Sequence, residues 1–315
     1  MRDINWYPGH MKKTRELIAS NLKLVDAVVE VCDARIPISG RNPVIDELIG
    51  GKTRVLVLNK RDLADDRATD AWLDRYRRDA GLRAALALNG LNERSARSLL
   101  KRLDAIAASA GRGRPLRIMV VGVPNSGKSS LINRLVGRKS AATGDRPGVT
   151  RGKQWLTLAN GMQLLDTPGI LWPKFEDPEV GLHLAFCGAV RDEIMDIAEL
   201  GLELIRLLLS EYPDMLAARF RLDLHAVRAA HALCGADGSG TDAHGIAEDA
   251  AFALKVMERI AAVRGLVLSK GRFDPERTAG VVLDEFRSGK IGRITLEHAD
   301  RDAAPRGGDR RRAGR

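Results

Sequence analysis

Short apolar runs rich in β-branched residues recur along the first half of the chain: VDAVVEV at 25–31, RVLVLN at 54–59, RAALAL at 83–88 and LRIMVVG at 116–122. Each has the length of one strand buried on both faces, the form taken in a parallel sheet. Between them the period becomes helical. The basic stretch KKTRELIASNLKLVD leads into the first run, NPVIDELIG is closed by Gly50 and Gly51, and LADDRATDAWLDRYRRDAG and NERSARSLLKRLDAIAASAG stand on either side of the third run. Farther on, KQWLTLANGMQLLDTPG at 153–169 predicts two strands joined at Asn160-Gly161, a strong hairpin signal. Strands alternating with helices predict an α/β fold, a mainly parallel sheet with helices on both faces.

Beyond about residue 175 the pattern is helical throughout. EIMDIAELGLELIRLLLSEYPDMLAARF, LHAVRAAHALCG, GIAEDAAFALKVMERIAAVRG and DPERTAGVVLDEFRSGKIG follow one another, the last punctuated by Asp274 as N-cap, Pro275 in the first turn and Gly289 past the end. The expected organisation is a nucleotide-type α/β domain over 1–175, an all-helical domain over 176–298 and a basic, disordered tail over 299–315. GRGRP at 111–115 reads as a connector inside the first domain and GADGSGTDAHG at 235–245 as a loop inside the second.

Two stretches carry nucleotide chemistry, in an order that needs explaining. GVPNSGKS at 122–129 fits G-x-x-x-x-G-K-[ST] between a strand and an amphipathic helix, the context that motif requires. Backbone amides from Asn125 through Ser126, Gly127, Lys128 and Ser129 to Ser130 would cradle phosphates, with Lys128 neutralising the β- and γ-phosphates and the Ser129 hydroxyl on magnesium. The alternative is a glycine-rich strand-to-helix turn. DTPG at 166–169 places Asp166 at a strand end, where a carboxylate reaches the other side of the magnesium, and Gly169 where its amide approaches the γ-phosphate. RPGVTRG between them supplies Thr150 as a second hydroxyl ligand, with Thr143 as its rival.

NKRD at 59–62 closes the strand RVLVLN and precedes the phosphate loop. In such a tetrapeptide Asp62 accepts from the guanine N1–H and exocyclic amine, Asn59 faces the O6/N7 side, Lys60 lays its stem along the base and Arg61 completes the pocket. Adenine lacks the paired donors and would leave a carboxylate unsatisfied. ALNG, with Asn89 and Gly90, lies where a further base-contacting loop belongs, although its match is poor. Alone, N-K-x-D reads as a charged turn; beside a phosphate loop and DTPG it reads as a guanine site, which argues against a small-molecule kinase. All parts of a GTPase are present in permuted order.

Together NWYPGHMKK, DARIP, NKRDL, GVPNSGKSSLIN, DRPGVTRG, DTPGILWP and FDPERTAGVVLDEFRSGKIGRITLE resemble the ribosome biogenesis GTPase A family, over nearly the whole chain. The resemblance implies a circularly permuted P-loop GTPase domain followed by a helical, RNA-binding domain. It also implies GTP hydrolysis coupled to late assembly of the large (50S) ribosomal subunit, with a subunit precursor and 23S-type rRNA as partners and neither DNA nor membrane. Ile170 stands where many GTPases carry the water-orienting glutamine, so slow intrinsic turnover is expected, with stimulation by the subunit. His10 is the candidate catalytic residue in its place; the other reading has Trp6, Tyr7 and His10 anchoring the N-terminal segment. PNSGKS is similar to phosphate loops in which the asparagine, here Asn125, helps hold potassium as an activator beside Mg2+. Two other readings are a nucleotide-gated RNA-binding placeholder and an RNA-modification-associated GTPase.

Composition changes this picture in three ways. A net charge of +10 and a pI of about 9.8 favour an acidic partner, nucleic acid before an anionic membrane surface. Lys255, Arg259, Lys270, Arg272 and Arg287 form either an rRNA-facing set or a solvated helix face. Aromatic residues make up only 4%, so any RNA contact is expected through phosphate and shape and not through base stacking. The three cysteines lack C-x-x-C spacing, and no apolar run reaches the ~18 residues of a membrane span, which together predict a reduced, cytoplasmic protein.

Overall fold

The computed structural model describes residues 8–111, 113–137, 154–166, 177–234, 246–268 and 272–302. Each apolar run forms a strand: β1 Ala27–Asp33, β2 Thr53–Asn59, β3 Ala84–Ala87, β4 Arg117–Val121, β5 Gln154–Thr157 and β6 Gln163–Asp166. They form one sheet in the order β3-β2-β1-β4-β6-β5, parallel except for β5, which runs antiparallel to β6.

Side chains alternate along β1 and build a core on each face, which is why its sequence is apolar at successive positions. Ala27, Val29 and Val31 point into a cluster with Leu99 and Leu103 of α4 (Glu93–Ser109) and Leu131, Ile132 and Leu135 of α5 (Lys128–Val136). Val28 packs on the opposite face with Ile18 and Leu22 of α1 (Pro8–Leu22) and Ile45 and Ile49 of α2 (Pro43–Ile49). Cys32, on that same face, joins Trp72, Leu73 and Tyr76 of α3 (Asp66–Arg77). Glu30, also buried there, is paired with Arg41 and Arg54 and does not interrupt the core as a bare charge.

The hairpin centred on Asn160-Gly161 forms with a three-residue loop in place of a two-residue turn. Leu158 N donates to Met162 O at 2.8 Å and Gly161 N to Leu158 O at 2.9 Å, and Gly161 takes the left-handed φ of 79°. A left-handed residue after a tight turn requires glycine in such loops, so NG marks the turn but not its length.

The chain forms two compact units, Met1–Leu184 with Thr295–Arg315, and Ala185–Ile294. The first unit therefore extends past the expected limit at residue 175 and regains a segment from the far end of the chain. α6 (Pro178–Phe186) runs out of the first unit. Within the second unit lie α7 (Ile197–Glu211), α8 (Pro213–Phe220), α9 (Leu224–Cys234), α10 (Ile246–Arg264) and α11 (Pro275–Arg287). α11 has the predicted cap: the Asp274 side chain accepts from Arg277 N, and Pro275 opens the helix. α7 and α11 approach so closely that a Cβ on Gly201 would lie 2.3 Å from the Cβ of Ala279. Glu285 accepts from Arg219 and Arg264. Among the described residues no helix is long and apolar enough to cross a membrane.

Candidate functional site

The C-terminal ends of the parallel strands carry nearly all the predicted chemistry. β1 ends on Asp33, β2 on Asn59 and β6 on Asp166, while β3 runs on towards Asn89 and Gly90 and β4 into Gly122. Strand order changes direction between β1 and β4, where an open α/β sheet leaves a crevice for ligands.

The phosphate loop is built from backbone. Gly122 has φ 151°, and a Cβ there would lie 2.2 Å from Val31 O. Asn125 (φ 56°) and Gly127 (φ 89°) are left-handed, and Gly127 caps α5. Such turns present consecutive amides at a helix N-terminus, the geometry of an anion nest. Lys128, 7% exposed, donates from Nζ to Val123 O at 2.7 Å. The Ser126 hydroxyl is buried without a hydrogen-bond partner among the described residues, a polar atom suited to a ligand that brings one. Ser129 and Ser130 sit half-buried in the first turn of α5.

The side expected to read the base is built from side chains. Asn59 Nδ2 donates to Ser126 O at 2.9 Å, and Asn59 Oδ1 accepts from Gly90 N at 2.8 Å. One buried amide thus ties the end of β2 to the phosphate loop and to the loop after β3, and each of its polar atoms retains one further hydrogen-bonding position. The close approach requires small neighbours: a Cβ on Gly127 would lie 2.2 Å from Asn59 Nδ2, and one on Gly90 2.8 Å from Asn59 Oδ1. Arg61 N donates to Leu88 O at 3.1 Å, while the Arg61 guanidinium pairs with Asp66 and Asp70. Asp62 lies in the one-turn 3-10 segment Arg61–Leu63 with its carboxylate exposed. Asn89 shapes the poorly matching loop: its Oδ1 accepts from Leu91 N, its N–H reaches Ser95 Oγ, and Asn92 caps α4.

Two residues given no separate role in the sequence belong to this site. Asp33, 2% exposed, stands opposite Asn59 in the β1–β2 register. Arg35 grips it from backbone N at 3.1 Å, Nε at 3.0 Å and Nη2 at 2.8 Å, and Lys60 Nζ lies 3.0 Å from its Oδ2. Burial opposes ionisation of Asp33, but attraction to Arg35 and then Lys60, with the Arg35 hydrogen bonds, outweighs it and holds the carboxyl well below the usual range. The available signal was position: DARIP and NKRD each close a strand, and the two strands are neighbours.

The returning C-terminal segment is stitched to the same region. Leu296 N donates to Arg35 O at 2.8 Å, and Trp72 Nε1 donates to Glu297 O at 2.9 Å. The buried Glu297 carboxylate accepts from Ile38 N, from Ser39 N at 2.9 Å and from the Ser39 hydroxyl, with His183 Nδ1 of α6 at 3.0 Å.

Of the other predicted residues, Thr150, its rival Thr143, Gly169 and Lys270 lie outside the described residues, as do the side chains of His10, in the first turn of α1, and Asp166. Pairing of Val120 with Asp166 puts the latter one strand from the phosphate loop. Arg287 is committed within the helical unit, to Phe186 O, Ala185 O and Asp192, and is thereby withdrawn from the set considered for RNA. Lys255 pairs with Glu258, and Arg259 and Arg272 are exposed.

A family model described as 50S ribosome-binding GTPase matches residues 117–211. The chain is 40% identical over 302 residues to a protein of Bacillus cereus named ribosome biogenesis GTPase A, covering 93% of each. It is 42% identical over 302 residues to the protein of that name from Priestia megaterium, covering 93% of this chain and 96% of that one. Among solved structures, GNP-bound YlqF from T. maritima superposes with a TM-score of 0.61 at 26% identity, covering 91% of this chain and 98% of that one. In the sheet of this chain the strand that ends in NKRD precedes the phosphate-loop strand in sequence and lies two places from it in space.

Proposed function

The chain belongs to the ribosome biogenesis GTPase A family, circularly permuted GTPases of ribosome assembly, and from that premise we propose that it binds a late precursor of the large subunit and couples GTP hydrolysis to its maturation. The observation that supports the nucleotide part is the Asn59 amide, which ties the end of β2 to the phosphate loop and to the loop after β3. Asp62 is the guanine-specific acceptor, Lys60 covers the base, and Lys128 with the amides of 125–130 holds the phosphates.

Ser129, Asp166 and Thr150 are the residues that would hold a magnesium ion, which would supply positive charge to the phosphates when bound. The left-handed turns at Asn125 and Gly127 and the orphaned Ser126 hydroxyl fit such an anionic, metal-bearing ligand. Asn125 is the residue to hold potassium. With Ile170 in place of glutamine, His10 is the group to orient the attacking water, and turnover is low until the ribosomal subunit engages. The helical unit and the basic surface meet 23S-type rRNA, and hydrolysis releases the protein.

Asp62→Asn tests the pocket. The carboxylate accepts from two guanine donors, whereas a carboxamide can donate to the C2 oxygen of xanthine. GDP affinity is expected to fall on the order of a hundredfold while xanthosine diphosphate gains. Unchanged GDP binding, or equal loss of both, would overturn the assignment. Sedimentation of extract with GDP or a non-hydrolysable GTP analogue tests the partner: nucleotide-dependent migration with large-subunit precursors is expected, and migration with neither precursors nor subunits would refute it.

A further inference from the structure

Lys60 adopts a left-handed backbone, φ 59° and ψ 35°, that is unfavourable for a non-glycine residue. It does so where its side chain must run between two fixed objects. Its Cε passes 4.0 Å from the position of a Cβ on Gly127, so the aliphatic stem lies against the phosphate loop. Its ammonium ends 3.0 Å from Asp33 Oδ2. Asp33 has no freedom to follow the lysine: it is buried, and Arg35 holds it through one backbone and two side-chain hydrogen bonds. Arg35 is itself 1% exposed, and its carbonyl is pinned by Leu296 N.

We propose that Asp33 is the positioning residue of the guanine site, a buried charge that fixes Lys60 across the phosphate loop so that its stem forms one wall of the base slot before nucleotide arrives. This rests on the reading of NKRD as the base reader. The logic is that of preorganisation. A free lysine has several rotatable bonds to order on binding, and a fixed anion at the far end removes that cost in advance. A carboxylate suits this better than a neutral acceptor because a charge-assisted bond is about twice as strong. Arg35 then serves to keep that carboxylate ionised and aimed while buried.

The experiment is a double-mutant cycle on the full chain, read as affinity for a fluorescent GDP. Asp33→Asn and Lys60→Gln each weaken binding by about tenfold, and the double variant is no weaker than either alone, because both remove one interaction. Independent losses that multiply would overturn the proposal, and so would tighter binding by Asp33→Asn, which would mean that Asp33 holds Lys60 away from the base. A second series leaves the buried aspartate untouched and applies even where Asp33→Asn does not fold. Lys60→Arg still reaches Asp33 and keeps most of the affinity lost in Lys60→Gln; equal loss in both refutes the role of the ion pair. Asp62→Asn separates the two levels. If it exchanges guanine for xanthine while the cycle is multiplicative, only the role of Asp33 fails; if it exchanges nothing, the base-reader reading fails.

Discussion

The half of the site expected to read guanine and the half expected to hold phosphate both lie at the C-terminal ends of the parallel strands, yet they are built by different means. On the guanine side, side chains do the fixing: Asn59 braces two loops, Asp33 holds Lys60, and Arg35 holds Asp33. On the phosphate side the backbone does it, through φ values of 151° at Gly122, 56° at Asn125 and 89° at Gly127. The first kind of structure is damaged by removing atoms and the second by adding them. A base must be distinguished from near-isosteres, which calls for polar groups at set positions. Phosphate can be held largely by converging amides, which a chain supplies when side chains stay out of the way.

The sharpest way to break this contrast is to add one methyl group to the phosphate side. In Gly122→Ala the new Cβ would lie 2.2 Å from the Val31 carbonyl, which is backbone of a central strand and cannot yield. With the unfavourable φ included, the variant is expected to lose about 4 kcal/mol or more in chemical denaturation. Next in size is a removal on the guanine side. Asn59→Ala leaves Ser126 O and Gly90 N buried without their partner, which costs about 2 to 4 kcal/mol and loosens both loops, to be read as stability and as nucleotide affinity. An Asn59→Ala protein as stable as the parent would show that the loops hold themselves. The smallest effect concerns charge. Because the folded Asp33 carboxyl titrates well below its ordinary range, its contribution is full above about pH 3.9 and is lost progressively as pH falls towards the depressed folded value. The denaturation midpoint of the parent should therefore drop more between about pH 4.5 and pH 2.5 than that of Asp33→Asn.

What the sequence makes legible here is local. Each parallel strand announces itself because burial on both faces demands continuous apolar residues, and the Asp274 cap and the Asn160-Gly161 turn are written in neighbouring positions. Motifs at 59–62 and 122–129 are legible for the same reason, and the sheet order explains their permutation. The Asp33–Lys60 pair is one step harder, since it needs the pairing of β1 with β2 before two strand ends can be seen as neighbours. Hardest was the return of 295–297 to the first unit. ITLE forms no strand or helix in the structure, and its hold on Ile38 and Ser39 spans more than 250 positions, so no local period marks it. The expected limit at 298 therefore followed the helical texture past the point where packing changes allegiance.

The Glu297 contacts also set a timetable. A ribosome releases this chain from its N-terminus, so the strands of the first unit emerge before the helical unit, and the acceptor for Ile38, Ser39 and His183 only after both. Until then Ser39 and His183 lack the carboxylate that joins them, and Arg35 lacks the strap at Leu296. A chain interrupted between residues 170 and 294 carries every nucleotide motif but neither the Glu297 carboxylate nor the Leu296 strap.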